Sequence, residues 1–442
     1  MTEIHELSAL EQAAAVRAGT VSPTELVDHY LARIAAYDAG LGSFVTLTPD
    51  AAKAQAAVSV RRDGGPLYGV PTAIKDNVGT AGVQTTFGSA AYAGFIPDVD
   101  GFCATLLRDA GTISLGKTNT PEMGLSAYTD NDVRGEAVTP WDRERNAGGS
   151  SGGAAAAVAA GLVPVAHGND GGGSARIPAS ACGVFGLKTS RGRVSPGPIG
   201  VDLFGLTVQG VLARHVTDAA AYLDAMAVPM IGDPHWAPPL PAGSTFLQAA
   251  QRPTTRQLRI ARFVETGVPG VTAAPECVAA FQDASALLAS LGHDVEDVPN
   301  PFPASLSDIF ATMWATQSLR FPVRPGAEQL LRPVSRFWRD LGRSMSADKL
   351  VNALGDLQMI ARQALTTLAP YDALLTPTLA LPPQPTSWFR AGGDIETELE
   401  RQTAFAPYAA TANLTGAPSA SLPLYWTESG LPIGVMLTGR PD

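Results

Sequence analysis

Residues 146–178 read N-A-G-G-S-S-G-G-A-A-A-A-V-A-A-G-L-V-P-V-A-H-G-N-D-G-G-G-S-A-R-I-P. Residues 154–160 are helical by propensity, and L-V-P-V-A-H is a strand that runs into three glycines and a serine. The same exchange of helix and short apolar strand precedes this stretch. Ser8, and Ser22 followed by Pro23, are helix-start residues, and Leu26, Tyr30 and Ile34 recur at four-residue spacing. A third helix is expected from Pro49 to Val60. L-Y-G-V-P-T-A-I-K-D reads as a buried strand ending at Lys75, and G-T-I-S-L-G-K at 111–117 as another after the helix-like G-F-C-A-T-L-L-R-D-A. Such alternation, with glycine loops at strand ends, specifies α/β layers around a mostly buried sheet.

Residues 226–370 differ, being proline-rich at 234–242, helical later, and marked by aromatic pairs such as Phe337 and Trp338. They read as a helical insertion covering the substrate pocket within a single domain, 1–442. Y-D-A-L-L-T-P-T-L-A and P-I-G-V-M-L-T-G return to short buried strands and complete the sheet.

A chain of 442 residues with 45% hydrophobic and 16% charged residues can bury a large core. A formal net charge of -10 leaves no basic stripe to follow a phosphate backbone, so no nucleic-acid partner is expected. Cys103, Cys182 and Cys277 are widely spaced and odd in number, which fits neither a disulfide framework nor a zinc motif; no metal or cofactor is expected. The acidic N-terminus lacks a leader pattern, and the longest apolar run, 154–166, is shorter than the ~18 residues of a membrane span. The expectation is a cytoplasmic protein with no membrane contact.

Two motifs match in letters and fail in context. G-T-I-S-L-G-K-T at 111–118 fits the phosphate-binding pattern G-x-x-x-x-G-K-[ST], yet T-I-S-L is itself the strand and Pro121 and Gly124 interrupt any helix after it. G-G-S-S-G at 148–152 fits a nucleophile elbow around Ser150, which belongs directly after a hydrophobic strand. The preceding P-W-D-R-E-R-N-A is no such strand, and His215, His235 and His293 sit in no recognisable loop signature.

The ordered set K-D-N at 75–77, G-K-T-N-T-P-E at 116–122, N-A-G-G-S-S-G-G at 146–153, G-N-D-G-G-G-S-A-R at 168–176 and C-G-V-F-G-L-K at 182–188 resembles the amidase signature family. The match is dense over residues 67–195, taken as the catalytic core segment. It implies an α/β/α fold with a central mixed, twisted sheet covered by helices on both faces. Carried across by motif, Ser174 is the nucleophile, Ser150 the bridging serine after a cis Gly149–Ser150 bond, and Lys75 the base. Two departures stand out. Gly171 replaces the family's usual Thr, Ile or Val, a form similar to the branch of 6-aminohexanoate cyclic-dimer hydrolases and nylon- or urethane-cleaving amidases. Family chains also usually continue with a helix past G-R-P-D, so either this chain is cut short or that helix is absent.

Elementary chemistry fits these roles. A serine needs a base to take its proton, and a lysine desolvated at a buried strand end is neutral enough to serve. Ser150, both donor and acceptor, can relay that proton to Lys75 and return it to the leaving amine. Gly171, Gly172 and Gly173, with the Ser174 N–H, are assigned to the oxyanion hole, because a backbone without Cβ atoms can turn successive amides to one point. Asp170 is expected to bond the backbone of the glycine turn, and Ser151 to brace the cradle. Arg176 either meets a substrate carboxylate or is structural, and Asp76 either points away from Lys75 or opposes the neutral lysine where the strand ends. The expected activity is a serine amidohydrolase cleaving small, largely apolar amides, carbamates (a urethanase) or esters through an acyl-enzyme. The alternative is a glutaminase-type subunit of an amidotransferase; a homodimer is compatible with either.

Overall fold

The computed structural model describes residues 3–59, 65–252 and 254–441. Strands β1 (Phe44–Leu47), β2 (Pro71–Lys75) and β3 (Ile113–Thr118) form a small sheet in the order β1-β3-β2, and β4 (Val138–Thr139) pairs with β5 (Asp142–Asn146). The main sheet contains β6 (Val165–Asp170), β7 (Phe185–Lys188), β8 (Val208–Ala213), β9 (Arg259–Arg262), β10 (Asp294–Asp297), β11 (Ala373–Pro377), β12 (Ser419–Trp426) and β13 (Pro432–Gly439). Its order is β10-β9-β11-β13-β12-β7-β8-β6. The sheet is mixed: β10, β9 and β11 run parallel, and the remaining neighbours are antiparallel.

Local chemistry sets the early helices. Ser8 and Ser22 each accept the N–H three residues on, while Glu11 and Glu25 reach back to the cap N–H, closing capping boxes at the starts of Ala9–Ala18 and Pro23–Tyr37. The third helix spans Pro49–Val58; Val60, its expected end, lies outside the described residues. The L-V-P-V-A-H strand begins only at Val165, after Pro164, which has no N–H to give a ladder.

The alanine-rich helix Gly152–Ala159 lies among β2, β3, β6 and β8. Ala154 to Val158 are wholly buried, so methyl side chains let the helix approach several strands at once. A leucine at Ala156 would overpack this centre at a cost of about 1–3 kcal/mol. On β8, Leu212 packs with this helix whereas Val211 packs with Val216–Met226. Adjacent strand residues point to opposite faces, so helices cover both sides of the sheet.

The strand expected to end at Lys75 does so, as β2 of the three-stranded sheet, which lies against β6. One expectation needs correction. Residues 226–370 are not only a helical cover, because β9 and β10 inside them extend the main sheet, β9 pairing in parallel with β11. All three cysteines are buried and unpaired. No helix among the described residues is long and apolar enough to cross a membrane.

Candidate active site

β2 ends at Lys75, whose side chain is fully buried. Its Nζ lies 2.7 Å from Ser150 Oγ and donates to Asn169 Oδ1 at 2.7 Å. Burial pulls the amine well below its ordinary value, with the Asp170 carboxylate opposing the shift. Gly149–Ser150 is cis. Ser151, the next residue, braces both loops: its N–H donates to Ser174 O at 3.0 Å and its Oγ to Asn169 O at 3.2 Å.

His167 and Asn169 sit two residues apart on β6 and so share a face. That face meets Lys75: the Lys75 N–H donates to His167 Nδ1 at 3.4 Å, and Asn169 takes the side chain. With Nδ1 accepting, His167 Nε2 carries the proton to Gln209 Oε1 at 2.9 Å, and burial pushes the ring down to about 4. His167 is therefore neutral, and it holds the backbone of Lys75. Asp76 lies just past the strand end, not on its opposite face. Its carboxylate accepts Thr86 N–H and hydroxyl bonds and faces Lys117 Nζ at 3.8 Å, so it is engaged away from Lys75.

The turn after β6 is tied down by Asp170. Its Oδ1 accepts from Gly173 N–H at 2.8 Å and its Oδ2 from Ala175 N–H at 3.0 Å. Burial alone would raise this carboxyl, but the Arg176 charge and hydrogen bonds hold it well below the usual range. Arg176 is itself fully buried. Its Nε and Nη2 grip Asp170, Nη2 also reaches Asn413 Oδ1, and Nη1 donates to Ala409 O and Met436 Sδ. All five guanidinium donors are spent inside the fold, which leaves none for a substrate carboxylate. Removing one partner of such a pair typically costs about 3–5 kcal/mol.

The oxyanion assignment is corrected at one residue. Gly173, at φ +125°, gives its N–H to Asp170, which leaves Gly171, Gly172 and the Ser174 N–H as the proposed donors. The departure at Gly171 also has a steric cause: a Cβ there would lie 2.8 Å from Thr207 Oγ1 and 3.0 Å from a Trp314 ring carbon.

Ser174, 7% exposed, opens onto a cavity of about 220 Å³ with Gly172 and Gly124. Its walls come largely from the middle and C-terminal segments, among them Phe302, Trp314, Tyr408 and Met436, with the Phe310 and Trp314 rings stacked one turn apart on Leu306–Ser318. Among the described residues, no Asp, Glu, Lys or Arg lines it. Sequence reasoning missed this wall, which carries no motif, and it missed Asn169 and His167. Their signal was two polar residues at i, i+2 on a wholly buried strand. No cluster of three or more His, Cys, Asp or Glu able to hold a metal occurs among the described residues.

The sequence model of the Amidase family matches residues 25–442. A 6-aminohexanoate-cyclic-dimer hydrolase of Paenarthrobacter ureafaciens is 34% identical, over 98% of this chain and 92% of that protein. The structure of 6-aminohexanoate cyclic dimer hydrolase complexed with substrate superposes with TM-score 0.90 at 31% identity, over 99% of this chain and 94% of the other. A bacterial aryl acylamidase of the amidase signature family gives TM-score 0.88 at 28% identity, over 100% and 94% of the two chains. On this similarity over the whole length, in sequence and in fold, the chain belongs to the amidase signature family as an amidohydrolase acting on C–N bonds.

Proposed function

We propose that Ser174, Ser150 and Lys75 form a nucleophile, relay and base that hydrolyse small, largely apolar amides or carbamates through an acyl-enzyme. The observation that carries this reading is the 2.7 Å approach of Lys75 Nζ to Ser150 Oγ in a fully buried setting. A neutral amine has two N–H groups and one lone pair. One N–H is used on Asn169 Oδ1, and the lone pair can then accept the Ser150 O–H. Ser150, having donated to Lys75, is free to accept from Ser174.

In acylation the Ser174 oxygen bonds to the carbonyl carbon while its proton passes to Ser150 and the Ser150 proton to Lys75. The charge that develops on the carbonyl oxygen is met by the N–H groups of Gly171, Gly172 and Ser174; losing one such donor costs about 3–4 kcal/mol of barrier. The C–N bond then breaks, with the proton returning through Ser150 to the amine nitrogen. Water attacks the acyl-enzyme by the same relay and releases the acid.

The glutaminase alternative is disfavoured by the lining of the Ser174 cavity, which offers no charged side chain to the α-ammonium or carboxylate of glutamine. The purified chain is expected to hydrolyse a chromogenic anilide unaided, with an acyl group trapped on the Ser174 peptide by mass spectrometry. Turnover of glutamine alone, and only with an added partner, would replace this reading by the alternative.

A further inference from the structure

A second cavity, of about 790 Å³, reaches the same cluster through different residues. At its inner end are Asn77 and Asn169. These two amides exchange hydrogen bonds, Asn169 Nδ2 to Asn77 Oδ1 at 2.8 Å and Asn77 Nδ2 to Asn169 Oδ1 at 3.3 Å, and Asn169 Oδ1 also accepts from Lys75. The outer part carries a group of apolar side chains. Phe95, Ile96, Val99, Ile199 and Val201 line it while remaining between 41% and 69% exposed. Exposed large apolar side chains gathered at one opening mark a place where an apolar group enters.

Gly124 lies where the two cavities approach each other. It borders the smaller cavity beside Ser174, at φ +70°, and a Cβ on it would lie 3.3 Å from both Asn77 Nδ2 and Ser150 Oγ. A side chain at 124 would therefore stand between Ser150 and the inner end of the larger cavity. With none, no side chain at 124 separates the relay hydroxyl from Asn77.

An amide has two halves with different fates: the acyl half stays on Ser174, and the amine half takes a proton from Ser150. Ser174 and Gly172 face the smaller cavity, whereas Asn169, which accepts from Lys75, and its partner Asn77 face the larger one. Resting on the Ser174–Ser150–Lys75 reading, we propose that the 790 Å³ cavity receives the amine half of the substrate. The preferred substrates are then secondary amides or carbamates whose nitrogen carries an apolar chain or ring, in preference to primary amides. Arg320 and Arg324, both exposed among the lining residues, outnumber the lining carboxylate Asp202, whose oxygens accept the Phe204 and Thr207 N–H groups, and so disfavour a cationic far end on that chain.

In the step concerned, the Ser174 oxygen–carbon bond has formed, the C–N bond breaks, and the Ser150 proton moves to the departing nitrogen. The acyl-enzyme left behind is the same whatever the amine. The larger cavity thus acts on acylation and is silent in deacylation.

The test is a set of substrates sharing one small acyl group, a primary amide and its N-hexyl amide, with deacylation followed separately after acylation by the p-nitrophenyl ester. The wild type is expected to favour the N-hexyl amide in kcat/KM by about tenfold or more, the scale of selectivity an apolar pocket gives. In Val99→Trp and Val201→Trp, at half-exposed positions where a larger ring is tolerated, that ratio falls by a similar factor and the deacylation rate constant stays at the wild-type value. A wild type that prefers the primary amide, or an unchanged ratio in both tryptophan variants, overturns the proposal. Failure of every amide, with no acyl group on Ser174, overturns the nucleophile assignment along with it.

Discussion

Lys75 and Lys188 are two ends of the same experiment. Each is the last residue of a strand, β2 and β7, each is fully buried, and in each burial pulls the amine well below its ordinary value. They differ in what they touch. Lys188 Nζ donates to two backbone carbonyls, Thr189 O at 3.0 Å and Ala417 O at 2.7 Å. A carbonyl only accepts, so this lysine is a strut between β7 and the segment before β12. Lys75 touches the amide oxygen of Asn169 and the hydroxyl of Ser150, and a hydroxyl can give a proton up. Burial prepares a lysine to be a base; the partner decides whether it becomes one. Lys117 gives a third case, lowered to about 8 by burial, with the Asp76 carboxylate opposing the shift and its donors used on Val78 O and Thr85 Oγ1.

Substituting each lysine by methionine separates the two roles. Lys75→Met is expected to lower kcat/KM by roughly a thousandfold or more, as Ser174→Ala does, and the double variant to be little worse than the worse single. Lys188→Met strands two buried carbonyls and is expected to lower folding stability by about 1–3 kcal/mol in urea titrations, with kcat/KM of the folded fraction changed only a few-fold. A large activity loss in a stably folded Lys188→Met would dissolve the contrast between strut and base.

The partner can be altered instead of the lysine. Asn169→Asp puts a carboxylate against Lys75 Nζ, which favours the ammonium. Activity near neutrality should drop because less of the lysine is neutral, and recover at higher pH. An activity loss that raising the pH does not restore would mean that Asn169 does something other than set the lone pair. The smallest expected effect is that of a chelator: EDTA should leave kcat/KM unchanged, and a loss restored by zinc would bring a metal into the mechanism.

The serines, the lysine and the glycine turn were legible because their chemistry is local. A tight turn with a residue at positive φ favours glycine, and a short carboxylate such as Asp170 caps the amides beside it, so residue type and spacing record the geometry. Capping serines and Pro23 similarly recorded where helices begin. Arg176 was not resolved by sequence because, besides Asp170, its partners Ala409, Asn413 and Met436 lie more than two hundred residues away. The apolar wall of Phe302, Phe310 and Trp314 left no signature either, since core and pocket use the same residues and only the fold tells them apart. The membership of β9 and β10 in the sheet was hidden for a related reason. At an edge, a four-residue strand such as D-V-E-D shows little hydrophobic periodicity.

The central claim, that a neutral Lys75 is the base, is tested most directly by kcat/KM against pH for the free enzyme. Below the folded pKa of Lys75 the ammonium cannot accept a proton, so activity should rise with pH through one ionisation and then level. Burial places that limb below the ordinary lysine value of 10.5, and Asn169→Asp should move it upward. His167, held at about 4 and bonded to Gln209, supplies no competing limb near ~6.5, where an unperturbed histidine titrates. A single limb is expected, shifting upward in Asn169→Asp and insensitive to diethyl pyrocarbonate. A limb near the histidine value, unmoved by Asn169→Asp and abolished by diethyl pyrocarbonate unless substrate is present, would contradict it.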